Sequence, residues 1–306
     1  MDFFIQLVTD PIGFYSAHQL LISQIGINAL LTLSMYVTLN CGLLTLANVG
    51  FMAIGAYVSV LLGLDLHLPF LLALFVGGIA AALVSLPMGL PVLRLSGIFL
   101  AIATIGFGQV VVGAILNIPI TGEGQGVTNL TADPGTAIIF IAVALVVTMF
   151  VLWRLGGSRL GQAWAAIRED SVAAAAHGIN VARYRLLAFI LGAFIAGCTG
   201  GLDAHLNFFI DPSEYQFTRV VGVLVFAVVG GFTNVIGPVV GATLLTSLPE
   251  ILRFAKDYRD TINGLILIAV ILFRPQGLLG GRFKGTGPVA RLRARLWPGR
   301  RAAGAA

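Results

Sequence analysis

A chain of 306 residues that is 58% hydrophobic and 10% charged is no ordinary soluble domain, since such domains carry roughly 25% charged residues. Its formal charge of +5 comes from a basic C-terminal stretch without aromatic–basic interleaving, which points to anionic lipid headgroups and away from nucleic acid. The two cysteines, Cys41 and Cys198, lie in or beside apolar runs with no Cys/His cluster, so they read as structural thiols rather than a disulfide or metal site.

A bilayer crossing takes roughly 20 apolar residues at about 1.5 Å rise each. Met1–Gln19 holds Asp2, Asp10 and Pro11 and no basic region, so it does not read as a cleaved signal peptide. The candidate spans are Leu20–Leu39, Leu43–Leu64, Phe70–Leu93, Gly97–Leu116, Ala137–Leu155, Leu186–Leu206, Val220–Gly231, Gly237–Ile251 and Ile262–Phe273. The last three are short or broken by Gly and Pro. The expected fold is an all-α polytopic membrane protein with about nine transmembrane helices. Its expected parts are an N-terminal segment 1–17, a membrane domain 18–275 with a cytoplasmic loop 156–182, and a basic cytoplasmic tail 276–306.

Charge orients these spans. After Phe273 come Arg274, Arg282, Lys284, Arg291, Arg293, Arg295, Arg300 and Arg301 with no acid, and a polar island and its borders hold Arg154, Arg159, Arg168, Arg183 and Arg185. Lys- and Arg-rich segments stay in the cytoplasm, so both face inward while the acidic N-terminus faces out. Arg253, Lys256 and Arg259 oppose this topology, because it places their loop outside.

The island, Ser158–Asn180, reads as helix, turn, helix and re-entry. Ser158 is an N-cap for Arg159–Glu169, Asp170 or Ser171 caps a short helix to His177, Gly178 stops it, and Asn180 caps the next helix. Small residues allow a partner backbone to approach, and Arg168, Glu169 and Asp170 offer charged contacts. An interfacial helix lying on the membrane would use the same pattern.

The chain holds 38 glycines, and those inside the spans cluster, which mostly serves tight helix packing. Gly106–Phe107–Gly108 and Gly230–Gly237 are the best candidates for broken helices beside a pathway. Asn48 and Gln109 need partners for their amides, either as helix–helix ties or as pathway lining, and lining is the preferred reading. Thr104, Gly106 and Asn234 join them as candidate pathway residues. Ionisable groups are nearly absent from the spans; Arg94, Asp203 and His205 stand near span ends. With no ion relay and no G-x-x-x-x-G-K-[ST] motif, the chain neither couples to ions nor binds ATP in that way. The scattered His18, His67, His177 and His205 form no triad or metal spacing, so no enzyme activity, metal or cofactor is expected. The loops Asn117–Thr136 and Asn207–Thr218 fall outside, the second carrying Asp211 and Glu214.

The island resembles the coupling loop of ABC-importer permeases, and Gly161–Ala166, Ile167–Asp170, Ala173–Ala174 and Gly178–Asn180 are similar to the LivM-type branched-chain amino acid permease family. Gly42–Tyr57, Leu95–Val110, Arg183–Leu202, Val229–Gly241 and Arg274–Gly280 match further signatures of that family in order. Departures are Ala47–Asn48, where Gly–His is common, and Thr199–Asp203, which varies an Ala-Gly-Ala run. The resemblance implies a permease subunit in a bacterial inner membrane. Its implied partners are two ABC ATPase subunits, a homologous second permease and an extracytoplasmic binding protein. It also implies ATPase docking through Arg159, Gly161, Ala165, Arg168, Glu169, Asp170, Ala174 and Gly178. Substrates of such permeases extend to urea, amides and other amino acids. An ATP-independent carrier or channel is the rival class, and it leaves the island unexplained.

Overall fold

A computed structural model describes residues 19–66, 68–121, 126–127, 134–207, 210–251, 264 and 277–278. The helices are α1 (Gln19–Asn40), α2 (Asn48–Asp65), α3 (Phe70–Val92), α4 (Ile98–Asn117), α5 (Pro134–Gly156), α6 (Arg159–Glu169), α7 (Ser171–Ala176), α8 (Val181–Asn207), α9 (Phe217–Gly230) and α10 (Ile236–Ile251). Short 3₁₀ turns occupy Pro119–Thr121 and Pro212–Tyr215, and among the described residues the only strand-like pairing is a bridge between Val127 and Ile210. Six helices, α1 to α5 and α8, are long and apolar enough to cross a membrane; α9 and α10 are shorter. The protein is therefore an all-helical, multi-pass membrane protein. The predicted segment 1–17, the span Ile262–Phe273 apart from Gly264, the basic stretch Arg253–Arg259, the tail from 279 and half of the loop Asn117–Thr136 lie outside the described residues.

At the centre stands α8, packed on α1, α2 and α3. Glycine permits that crossing: a Cβ on Gly55 would run into the Gly197 carbonyl, and one on Gly200 into the Met52 carbonyl. Without a hydrophobic drive between helices in lipid, such backbone approach and its dispersion contacts hold the bundle. Helices α3, α4 and α5 turn large apolar side chains outward, among them Phe75, Ile79, Phe99, Ile102, Phe150 and Trp153. Exposed apolar surface on this scale suits a lipid solvent.

Two sequence expectations change. The second span begins at Asn48, not Leu43, because Cys41–Ala47 forms a non-helical linker whose Gly42 takes φ +75°. Gly106–Phe107–Gly108 does not break its helix: α4 runs through it, and Gly108 instead serves packing, since a Cβ on Gly50 would lie 3.0 Å from Gly108 Cα. The other expected break is present. Helix α9 stops at Gly230, Gly231 adopts φ +88°, and α10 resumes at Ile236.

The helices share two ends. One gathers the island, the C-termini of α1 and α5, the start of α8 and the α9–α10 turn, where Phe232 and Val235 pack beside Tyr36, Leu152 and Trp164. The far end gathers Tyr57 of α2, Phe70 of α3, His205 of α8, the 3₁₀ turn at Pro212–Tyr215 and the start of α9.

Candidate functional site

The island is built by capping. The Ser158 hydroxyl accepts from Gly161 N–H at 3.4 Å and opens α6. The Asp170 carboxylate accepts from the N–H groups of Val172 and Ala173 at 2.8 and 3.1 Å, ending one helix and starting the next. Gly178 at φ +82° terminates α7, and the Asn180 side chain accepts from Arg183 N–H at 3.1 Å as α8 begins. Each cap satisfies backbone donors that a helix start leaves unpaired.

One face of this hook is seated on the bundle. Trp164 is buried, and its indole N–H donates to the Tyr184 carbonyl at 3.0 Å. Ile167 and Ala174 are buried beside it. Gly161 fits because a Cβ there would lie 2.7 Å from Gly156 Cα. The Arg168 guanidinium turns inward and donates from Nη1 to Asn40 Oδ1 at 2.9 Å.

The expected docking residues therefore divide. Arg159, Glu169, Asp170 and Gly178 face outward; Gly161 and Ala174 face the seat; Ala165 and Arg168 are half-buried. Sequence reasoning missed Trp164 and Ile167 as the anchors, although Leu160, Trp164 and Ile167 form an i, i+4, i+7 apolar stripe that marks a buried helix face. It also missed Val172, which is 78% exposed at the tip of the hook.

The candidate pathway residues are not brought together. Asn48 is buried and donates from Nδ2 to Ser34 Oγ at 2.9 Å, a tie between α2 and α1. Thr104 is buried, accepts from Leu46 N–H at 3.0 Å and donates back to its own helix. Gly106 and Gln109 lie exposed on α4. Asn234 lines a cavity of about 560 Å³ between the α9–α10 turn and the end of α5, together with Tyr36, Arg154, Ser158 and Thr233.

At the far end sits a charged cluster that sequence reasoning did not assemble. Asp203, buried in α8, pairs with Arg219 of α9 at 2.9 Å, and Glu214 approaches the same guanidinium at 3.7 Å. Arg219 also lies 5.7 Å above the Tyr215 ring. Desolvation, followed by the negative charge of Asp203, pushes the Glu214 carboxyl above the usual glutamate range. Asp211 is held low by hydrogen bonds from Ser213, whose N–H it accepts at 2.8 Å. The signal for the pair was a carboxylate inside an apolar span with an arginine opening the next one.

Among the described residues no three His, Cys, Asp or Glu side chains stand close enough to hold a metal. Residues 19–273 match the family model described as branched-chain amino acid transport system, permease component. The chain is 34% identical to the high-affinity branched-chain amino acid transport system permease protein LivM of Escherichia coli K12, over 85% of this chain and 67% of that protein. It is 32% identical to LivH of the same organism over 47% of this chain and 45% of that protein. To the autoinducer 2 import system permease protein LsrC of Enterobacter sp. 638 it is 26% identical, over 85% of this chain and 76% of that one. No solved structure matches it. The chain belongs to the family of permease components of branched-chain amino acid transport systems.

Proposed function

We propose that this chain is one membrane-spanning subunit of an ABC importer for amino acids, with branched-chain amino acids as the substrate class. It works beside a homologous second permease, two cytoplasmic ATPase subunits and an extracytoplasmic binding protein in a bacterial inner membrane. Its N-terminus lies outside, its C-terminus in the cytoplasm, and nine crossings join them. The substrate class comes from the LivM-type relatives; the LsrC relative, named for autoinducer 2 import, indicates that one permease scaffold serves different cargoes.

The observation that carries the reading is the island. A hook capped at every helix start, seated by Trp164 and Ile167 and presenting Arg159, Glu169 and the apolar Val172 outward, is built to be gripped. Charged side chains and an exposed apolar one on the same small hook offer a partner both polar and apolar contact. Hydrolysis on the ATPases moves the hook, and the bundle shifts between two packings with alternating access. Gln109 on the open face of α4 and Asn234 at the cavity wall are the pathway residues, and the second permease covers that face of α4.

Gentle detergent purification of tagged protein from native membranes, with co-purifying subunits identified by mass spectrometry, tests this. A P-loop ATPase should co-purify and be lost in the double variant Glu169→Ala, Val172→Asp. Recovery of the chain alone, active for flux in ATP-free liposomes, overturns the importer reading in favour of a carrier or channel.

A further inference from the structure

The linker Cys41–Ala47 occupies an unusual position. It opens with a turn and is not helical, yet Cys41, Leu43, Thr45, Leu46 and Ala47 are buried. Non-helical backbone in a membrane protein survives only where protein or water satisfies its polar groups. Here the partners are specific. The N–H groups of Cys41 and Leu43 donate to the Thr38 carbonyl, and the Thr45 hydroxyl donates to Thr38 Oγ1. Leu46 N–H donates across to Thr104 Oγ1 of α4 at 3.0 Å. At its other end the linker meets the island: the three atoms nearest a Cβ built on Gly42 all belong to Arg168, the first at 3.1 Å, and Arg168 bonds Asn40 one step before the linker.

One short segment thus touches both the hook and the helix that carries Gly106 and Gln109. Helix α8 also joins the hook to the bundle, but its packing against α1, α2 and α3 is made of glycine backbone contacts that leave little room to slide. The linker is tied to its neighbours by single hydrogen bonds that can exchange, which is what a moving part requires.

We propose that the linker Cys41–Ala47 relays displacement of the island to α4, with Arg168 as the positioning residue that grips it and Leu46–Thr104 as its output. The relay rests on the docking reading above and adds a mechanism to it. Arg168 then acts on its own chain and makes no contact with the ATPase.

The test uses the complete transporter, with all co-purifying subunits and its binding protein, reconstituted in liposomes. Uptake and ATP hydrolysis are measured together, so the readout is substrate moved per ATP. Arg168→Ala and Thr104→Val are each expected to lower that ratio at least tenfold while the ATPase still co-purifies. Thr104→Ser, which keeps the acceptor oxygen, should stay within twofold of the unaltered protein. The exchange Asn40→Arg with Arg168→Asn should recover at least a third of the coupling that Arg168→Ala loses. A variant that merely loosened the fold would lower uptake and hydrolysis together and would not respond to the exchange; that outcome rejects the relay. Loss of the ATPase in Arg168→Ala would make Arg168 a docking contact, overturning the relay while leaving the docking reading intact. An unchanged ratio in Thr104→Val would also overturn it. Absence of an ATPase from the unaltered preparation would defeat the docking reading first, and the relay with it.

Discussion

The two ends of the bundle are fastened by different chemistry. At the far end a buried ion pair, Asp203–Arg219, is backed by Glu214 and the ring of Tyr215. At the island end the fastenings are neutral or singly charged hydrogen bonds and close backbone contacts, namely Trp164 to Tyr184, Arg168 to Asn40 and Gly161 against Gly156. A paired charge that is buried resists separation, because parting it strands an ion in a poor solvent. A neutral hydrogen bond is worth only about 0.5–1.5 kcal/mol net and can be exchanged. In the function proposed above, the far end is the part that holds and the island end the part that moves.

The largest expected effect would break this contrast outright. Asp203→Ala leaves the Arg219 guanidinium facing a buried site without its carboxylate, at a cost of about 3–5 kcal/mol. Thermal unfolding in detergent should show it, and a second change, Arg219→Leu, should recover at least half of the loss. A cost below about 1 kcal/mol would place the pair among weak surface contacts and remove the distinction between the ends. Next in size is Gly161→Val, whose side chain would meet the Leu155 carbonyl and Gly156. Overpacking against backbone costs about 1–3 kcal/mol, and here it should lift α6 from its seat. Faster proteolysis within 158–180, at an unchanged rate elsewhere, is the expected reading. Smaller again is Trp164→Phe, which keeps the ring and removes the N–H donated to Tyr184, for about 1 kcal/mol.

Much of this architecture was legible in the sequence, and the reasons are physical. Helix length and apolarity follow from bilayer thickness, so α1, α3, α4, α5 and α8 were found close to their bounds. The caps at Ser158, Asp170 and Asn180 and the stop at Gly178 are local, and local signals survive in a string of letters. The linker Cys41–Ala47 was not legible: its residues are as apolar as a helix, and the groups it meets, Arg168 beside Gly42 and Thr104 at Leu46, lie far along the chain. The same holds for Asn48 and Thr104. A polar side chain in a span announces a need for a partner, but only the fold shows that Ser34 and Leu46 supply one. Asp203 was noticed alone, because pairing with Arg219 depends on how α9 returns against α8.

The smallest effect concerns acid, and it separates two carboxylates three residues apart, Asp211 and Glu214. Glu214 is only part-buried, and its pKa is raised, first by desolvation and then by Asp203. A raised carboxyl binds its proton more tightly folded than unfolded, so its contribution to stability is complete below the unfolded value of about 4.3 and fades as pH rises through the folded one. Asp211 has the opposite sign. Its pKa is lowered by the hydrogen bonds from Ser213, so its contribution is present above the unfolded value and is lost on acidification. Glu214→Gln should therefore flatten the decline in unfolding midpoint on the neutral side of pH 4–5 and leave the acid limb in place, while Asp211→Asn should do the reverse. Both groups are largely in reach of water, so the changes should be small beside that of Asp203→Ala. If Glu214→Gln shifted the midpoint as far as Asp203→Ala does, the cluster would act as one buried triad rather than a pair with an outer acid, and the far end would be held by three charges at once.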